Sequence, residues 1–300
     1  MFLVILEYLI LASTFTIAKA TLFYAKPFFI IGIRMTFAGI LLLGFKYLTD
    51  KRSLTLYKSD WWLFLKASIF HIYLAFIPEF WALQYLTSAK TNLIYSATPF
   101  IAALLAYFIF AEKLTRQKTI GMFIGLLGLI PIFLTQTDPR EGSMELFSFS
   151  LPELVLLGAV FSATYAWFII KKLLIKGYSL VVINGVSMFV GGIFSLLTSF
   201  IFEGVKTNPV FDFWPFLFWV LFLILMANII SYNLYAWLIK HYSITFVTFA
   251  GFLCPVFGAF LGWFFLGEHI SWHYYFALLC IAIGLYVFYK DEMKLKQELA

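Results

Sequence analysis

Charged residues are scarce in this chain. Asp, Glu, Lys and Arg together make up 12% of its 300 residues, against about a quarter in soluble domains. With so little charge, no polar surface remains to cover a large core, and mean hydropathy reaches +0.95, so a soluble fold is excluded. Only two cysteines are present, Cys254 and Cys280, both inside apolar runs, and no disulfide framework is implied. The Gly-x-x-x-x-Gly-Lys-Ser/Thr loop that cradles phosphates is missing, and no connection is long enough for a nucleotide-binding domain. No Asp falls inside any apolar run, and neither His-Glu-x-x-His nor Gly-x-Ser-Gly occurs. These absences speak against an intramembrane enzyme, and the chain is read as having no catalytic residues, no cofactor and no metal.

Apolar sequence fills the space left by charge: 63% of residues are hydrophobic and 21% aromatic. In hydrocarbon every backbone polar group needs an internal partner, so the choice lies between a helix bundle and a closed barrel. Runs such as 120–134 and 213–230 are apolar all round rather than alternating, which selects the bundle over the barrel. Runs long enough to cross the bilayer core fall at 3–23, 28–48, 61–85, 88–110, 119–136, 151–171, 179–203, 214–238, 245–266 and 272–290. The first contains Glu7 and Lys19, lacks a basic leader and is read as a retained helix rather than a cleaved signal. The expectation is an all-α protein of ten transmembrane helices in the cell inner membrane.

Lys and Arg are distributed unevenly between the two sides of such a bundle. Fourteen fall on the N-terminal side and four, Lys26, Lys90, Arg140 and Lys206, on the other. By the positive-inside rule both termini are cytoplasmic. The chain also contains its own second copy. Pro99, Glu112 and Gly128 recur as Pro255, Glu268 and Gly284, each 156 positions later, and Trp81/Trp237, Ala103/Ala259, Leu105/Leu261 and Phe108/Phe264 keep the same offset. Five spans per copy is an odd number, so the second copy must run through the membrane upside down relative to the first. The expected units are a first repeat at 1–136, an external loop at 137–150, a second repeat at 151–290 and a cytoplasmic tail at 291–300. Such inverted repeats place a substrate site near the midplane between the copies.

The segment 89–128, with Pro99, the small residues Ala102 and Ala103, and Glu112-Lys113-Leu114 before a Gly-spaced helix, resembles the signature of EamA-type proteins of the drug/metabolite transporter superfamily. The segment 245–284 is similar to a second copy, with Gly267-Glu268-His269-Ile270 where Gly-Glu-Arg-Leu is usual. Arg34 matches a basic residue common in the second span. The resemblance covers nearly the whole chain and implies a transporter of small metabolites. Family members carry amino acids, amines, nucleotide-derived metabolites or drugs, and some intracellular bacteria use such proteins to take up S-adenosylmethionine.

An ionisable group at membrane depth costs about 2.5–3.5 kcal/mol on insertion scales, so it faces a cavity or a partner. Lys19, Arg34, Glu79 and Lys90 all fall in the outer half of the first repeat. Glu79 suits an ammonium or sulfonium, and Arg34 or Lys19 a carboxylate. The competing reading pairs Arg34 with Glu79 internally, and Lys90 snorkels to the surface. Glu79 gains weight from its repeat mates. Ile72, Ala75 and Glu79 correspond to Asn228, Ser231 and Tyr235, a polar stripe with Tyr232 beside it. Interhelical hydrogen bonding is an equal alternative for Asn228 and Ser231. Asn92 and Ser96 share a face with Pro99, flanked by Tyr95, and Pro78 precedes Glu79. Pro78, Pro99 and Pro255 are expected as kinks or gates. Tyr165 and Trp167, with Tyr95 and Tyr232, offer stacking faces. Glu112 and Glu268 are assigned to turn structure, and His269 and His273 lack a third ligand for a metal.

The composite expectation is a secondary transporter or exchanger for a small polar or zwitterionic metabolite, S-adenosylmethionine-like or an amino acid, working by alternating access. A proton-coupled version would titrate Glu79 or Glu7. Competing readings are a drug or amine efflux carrier of the same fold and, from other classes, an intramembrane enzyme, a channel or a non-transporting membrane subunit. The expected partners are the small-molecule substrate and membrane lipid, with no nucleic acid, in a monomer or homodimer.

Overall fold

The computed structural model describes residues 2–86, 91, 94–111, 115–135, 150–204, 208–266 and 272–298. Among them the chain is helical, the sole extended pairing being a bridge between Ala25 and Val210. The helices are α1 (Phe2–Leu22), α2 (Pro27–Thr49), α3 (61–83), α4 (Thr98–Phe110), α5 (Arg116–Thr135), α6 (Leu151–Ile175), α7 (Leu180–Phe202), α8 (213–241), α9 (244–266) and α10 (Trp272–Glu298). Of these α1, α2, α3, α6, α7 and α8 are long and apolar enough to cross a membrane. Large apolar side chains such as Leu48, Phe108, Phe202 and Phe218 point outward, as a lipid-facing surface requires and a soluble one does not.

The 156-residue offset recurs in local geometry. α3 widens into a π turn at Ser68–Tyr73 and α8 into one at Ile224–Ser231, so the two start 156 residues apart. A π turn frees carbonyls from the α-helical ladder. Ser162 of α6 donates to the Phe70 carbonyl at 2.8 Å, and Asn233 donates to the Ile229 carbonyl at 2.8 Å. Both turns therefore have side-chain partners for backbone groups that would otherwise be unsatisfied.

Two seams join the copies, each between repeat-equivalent helices. α2 packs along α7 and α5 along α10. Small residues permit the contact: a Cβ on Gly39 would fall 2.5 Å from the Phe189 nitrogen, and one on Gly192 would fall 2.5 Å from the Thr36 nitrogen. Gly32 meets Leu196 while Gly185 meets Leu43, so α2 and α7 are antiparallel. Gly121 and Gly284 likewise face one another across the second seam, each Cβ position lying within 2.8 Å of the other's carbonyl oxygen.

The α2–α7 seam is tied at one end, and the other end of α7 is anchored next to α3 instead. At one end Glu203, just after α7, accepts hydrogen bonds from the Phe28 and Phe29 amides at 2.7 and 3.0 Å. These are orphan donors of the first turn of α2, which begins with Pro27. The Lys26 amide donates to the Pro209 carbonyl at 2.9 Å, and the Phe211 amide to the Tyr24 carbonyl at 2.8 Å. At the other end Asp60 accepts from Lys176 and from the Tyr178 hydroxyl, each at 2.7 Å. That hydrogen bond from the ammonium raises the Lys176 pKa above its ordinary value. Gly177, at φ +91, closes α6 in a Schellman turn, with the Tyr178 amide donating to Leu173 and the Gly177 amide to Leu174.

Two expected helices differ from the single spans read in the sequence. The run 88–110 is interrupted by a turn at 96–97: the described residues 91, 94 and 95 are helical, and α4 starts anew at Thr98 with Pro99, which has no amide to carry the ladder across, in its first turn. The run 245–266 is interrupted by a 3-10 turn at Ala250–Phe252, two residues before the helix reaches Pro255. Both prolines therefore start a helical segment after a break rather than kinking a continuous helix.

Candidate functional site

A cavity of about 110 Å³ lies between the copies, walled by side chains of α1, α2, α3, α6, α8 and α9 and by Tyr95 and Thr98 at the start of α4. Along α1 the wall runs from Glu7 through Leu11, Thr14 and Phe15 to Ala18. These residues occupy one helical face, and at 1.5 Å per residue the chamber extends about 16 Å. Its wall is symmetric in sequence. Glu7 and Ala163, Tyr8 and Thr164, Leu11 and Trp167, Ala75 and Ser231, Phe76 and Tyr232, Glu79 and Tyr235, Tyr95 and Gly251, and Thr98 and Cys254 all line it, and each pair is separated by 156.

Three ionisable residues of full charge line the wall: Glu7, Arg34 and Glu79. Arg34 and Glu79 form one end. The Arg34 guanidinium carbon sits 4.6 Å from the centre of the Phe76 ring and 5.5 Å from that of Phe80. Its Nε has no hydrogen-bond partner among the described residues, although the residue is buried. A desolvated cation over an aromatic face gains about 2 kcal/mol. Glu79 accepts a hydrogen bond from the Tyr95 hydroxyl, and Thr98 donates to the Tyr95 carbonyl at 2.6 Å, steadying the break that precedes α4. The expected internal pairing of Arg34 with Glu79 is not formed. The aromatic rings hold the guanidinium and Tyr95 holds the carboxylate, so no ion pair closes between them.

Glu7 forms the other end. It is fully buried, and Ser231 of α8 donates to its Oε1 while Oε2 has no partner among the described residues. The neighbouring Tyr8 hydroxyl is engaged by the Val247 carbonyl at 2.5 Å. Between the ends stand the rings of Trp167 and Tyr235, stacked with centroids 4.1 Å apart and planes 29° off parallel, with Tyr232 5.8 Å from Trp167. His71, inside the π turn of α3, wedges edge-on behind Trp167 and Tyr232 at 4.5 and 4.9 Å and supports both rings.

Of the residues picked out in the sequence, Arg34, Glu79, Tyr95, Ser231 and Tyr232 are brought together here. Four are placed elsewhere. Lys19 donates to the Leu86 carbonyl beyond the end of α3. Asn228 donates to the Met35 and Met188 sulfurs at 2.9 and 3.7 Å, an interhelical contact. It lies within the π turn, which rotates it off the face carried by Ser231 and Tyr235. Tyr165 packs edge-on against Phe70 at 5.0 Å, since two residues along a helix is about 200° from the face of Trp167. Ser96 is buried in the turn before α4 and does not line the wall. Pro78 lies in α3 between the π turn and Glu79. Asn92, Lys90, Glu112, Glu268 and His269 lie outside the described residues. Trp167, read in the sequence as a stacking face, and Tyr235, read there as the repeat mate of Glu79, also line the wall, whereas the sequence reading passed over Tyr8.

An all-helical bundle, apolar toward its surroundings and holding a charged chamber between two copies of one unit, is a multi-pass membrane protein of the transporter class. The chain belongs to the EamA-like transporter family, whose model matches residues 1–134 and 150–290. In bacteria such proteins lie in the inner membrane. Among similar proteins are the S-adenosylmethionine/S-adenosylhomocysteine transporters of Chlamydia trachomatis serovar L2 and of Chlamydia muridarum. Each is 32% identical over 98% of this chain, covering 90% and 92% of those proteins respectively. The uncharacterized transporter YoaV of Bacillus subtilis is 26% identical over 69% of this chain and 68% of its own. A crystal structure at 17% identity superposes with a TM-score of 0.74 over 98% of this chain and 96% of that one, which supports the fold alone.

Proposed function

We propose that the protein is a secondary exchanger for S-adenosylmethionine and S-adenosylhomocysteine, cycling by alternating access. Its two five-helix repeats, 1–136 and 151–290, are inverted, its ten spans leave both termini cytoplasmic, and the segment 137–150 is external. The observation that carries the substrate class is the order of groups along one chamber: guanidinium and carboxylate at one end, stacked aromatic rings in the middle, a second carboxylate at the other. Arg34 suits the amino-acid carboxylate of the ligand and Glu79 its ammonium. Trp167, Tyr232 and Tyr235 suit the flat adenine ring, because every base presents a π face. The sulfonium, which joins the amino-acid arm to the ribose, then lies between Glu79 and the rings.

Antiparallel packing of repeat mates at both seams supports the inverted arrangement. The paired wall positions support a chamber on the axis that relates the copies, which is where alternating access requires it. The reading assigns no covalent step to any residue.

The test is counterflow. Proteoliposomes of the purified protein, loaded with unlabelled S-adenosylhomocysteine, are expected to accumulate labelled S-adenosylmethionine. Empty vesicles are expected to accumulate much less. Equal slow uptake with and without internal ligand would remove exchange, and no uptake in either would remove the substrate.

A further inference from the structure

Among the described residues, two buried polar side-chain atoms of the chamber wall have no hydrogen-bond partner: Arg34 Nε at one end and Glu7 Oε2 at the other. The first is a donor, and the exchanger reading gives it the ligand's carboxylate. The second has no role there. Other polar groups at the Glu7 end are already engaged. The Tyr8 hydroxyl donates to the Val247 carbonyl, Thr164 to the Val160 carbonyl at 2.7 Å and Thr248 to the Ile244 carbonyl at 2.9 Å, while Ser231 donates to Glu7 Oε1.

Glu7 borders the stacked rings on the side away from Arg34. Its partner Ser231 precedes Tyr235 by one turn of α8, and Tyr8 meets the Tyr235 ring edge-on with centroids 6.5 Å apart. Eight residues along α1, about 12 Å, Phe15 packs on Tyr95, whose hydroxyl donates to Glu79. A ligand with its amino acid on Arg34 and Glu79 and its base on the rings turns toward Glu7 the edge of the base that is farthest from the ribose. In adenine that edge carries the 6-amino donor and the N1 acceptor. A carboxyl offers an acceptor to the amino group in either protonation state, and when neutral a donor to N1 as well.

We propose that Glu7 determines specificity for the base: with the ring laid on Trp167 and Tyr235, the 6-amino group donates to the Glu7 carboxyl, which selects adenine over purines that lack this group. Stacking alone cannot make that choice, because every base presents a π face. A site built to pair a ligand N–H rejects the analogue without it, since the buried acceptor is then left unpaired. This inference rests on the exchanger reading above and deepens it by naming how the base is read.

The test measures binding of S-adenosylhomocysteine and of its 6-deamino analogue, which carries hydrogen in place of the amino group, to the purified full chain. The wild type is expected to prefer the amino compound about tenfold or more, the effect of one buried hydrogen bond. In E7M the preference should vanish, with the deamino analogue bound as in the wild type, which also shows that the variant is folded. E7M/S231A, which leaves no orphan hydroxyl, should behave alike and decides the matter if E7M does not fold. E7Q should keep the preference, because an amide can pair with the same edge of adenine. E79Q should weaken both ligands and keep their ratio. Equal affinity of the wild type for the two compounds would overturn the proposal while leaving the exchanger reading intact, and so would an undiminished preference in E7M or in E7M/S231A. Failure of the wild type to bind either compound would overturn both.

Discussion

The two repeats bring the same scaffold to the chamber but different chemistry. Both widen into a π turn at the same register, and both present wall residues from equivalent positions. Yet Glu7, Arg34 and Glu79 all belong to the first copy, while the second supplies Trp167, Ser231, Tyr232 and Tyr235. Position has been kept by packing, since the seams tolerate little change. Side-chain chemistry was free to diverge wherever a residue faced the cavity rather than a neighbouring helix. A ligand with a charged amino acid at one end and a flat ring at the other needs such asymmetry, because a wall of like residues on both sides would set like charges against one another.

The strongest way to break this comparison is to attack what the repeats share. Gly39→Leu in one repeat and Gly192→Leu in the other should each abolish the folded protein, because the new side chain meets backbone 2.5 Å away. Overpacking that neighbours can accommodate costs about 1–3 kcal/mol, and backbone cannot yield as a side chain does. Gly44→Leu, with nothing within 4 Å, should leave the thermal midpoint in detergent unchanged.

The next effect separates the repeats. Arg34→Met should weaken ligand binding by about 2–5 kcal/mol, the range for removing one partner of a buried charged contact. The equivalent change at its mate, Val190→Met, should leave affinity alone; titration of each variant distinguishes them. A smaller loss is expected from the aromatic side. Trp167→Leu places on α6 the residue that its mate Leu11 already is, and should cost about 1–3 kcal/mol of binding by removing one stacking face. Thermal-shift titration with an adenine-bearing ligand reads this directly. The smallest effect concerns the ties at the two ends of α7. Glu203→Gln weakens the cap on two backbone amides and should lower the thermal midpoint more than Asp60→Asn does, because the partner Lys176 is half exposed and solvent can replace its contact.

The sequence revealed some of these features and hid others for physical reasons. Arg34 and Glu79 were readable because a charge at membrane depth must have a cavity or a partner. The copies were readable because a shared offset survives divergence. Asn228 misled because a π turn rotates the helix face, and no residue pattern announces where such a turn begins. Tyr165 was chosen together with Trp167 from one helix, although the two point to opposite sides, and the abundance of aromatics masked the difference. Lys19 looked like a ligand contact but found a backbone carbonyl, a partner that every sequence offers and none identifies. Glu7 was recognised as a titrating candidate, while its isolation from every cation needed coordinates.

The tied seam between α2 and α7 also limits how such a molecule can move. Two rods pinned at one end and meshed through glycines travel as a single beam, so they cannot slide past each other to admit a solute. Flexure must then come from the other elements of the wall. There the ladder is already slack: at the widened turns of α3 and α8, and at the interruptions ahead of Pro99 and Pro255. These four points are the joints about which a doorway on either side would swing.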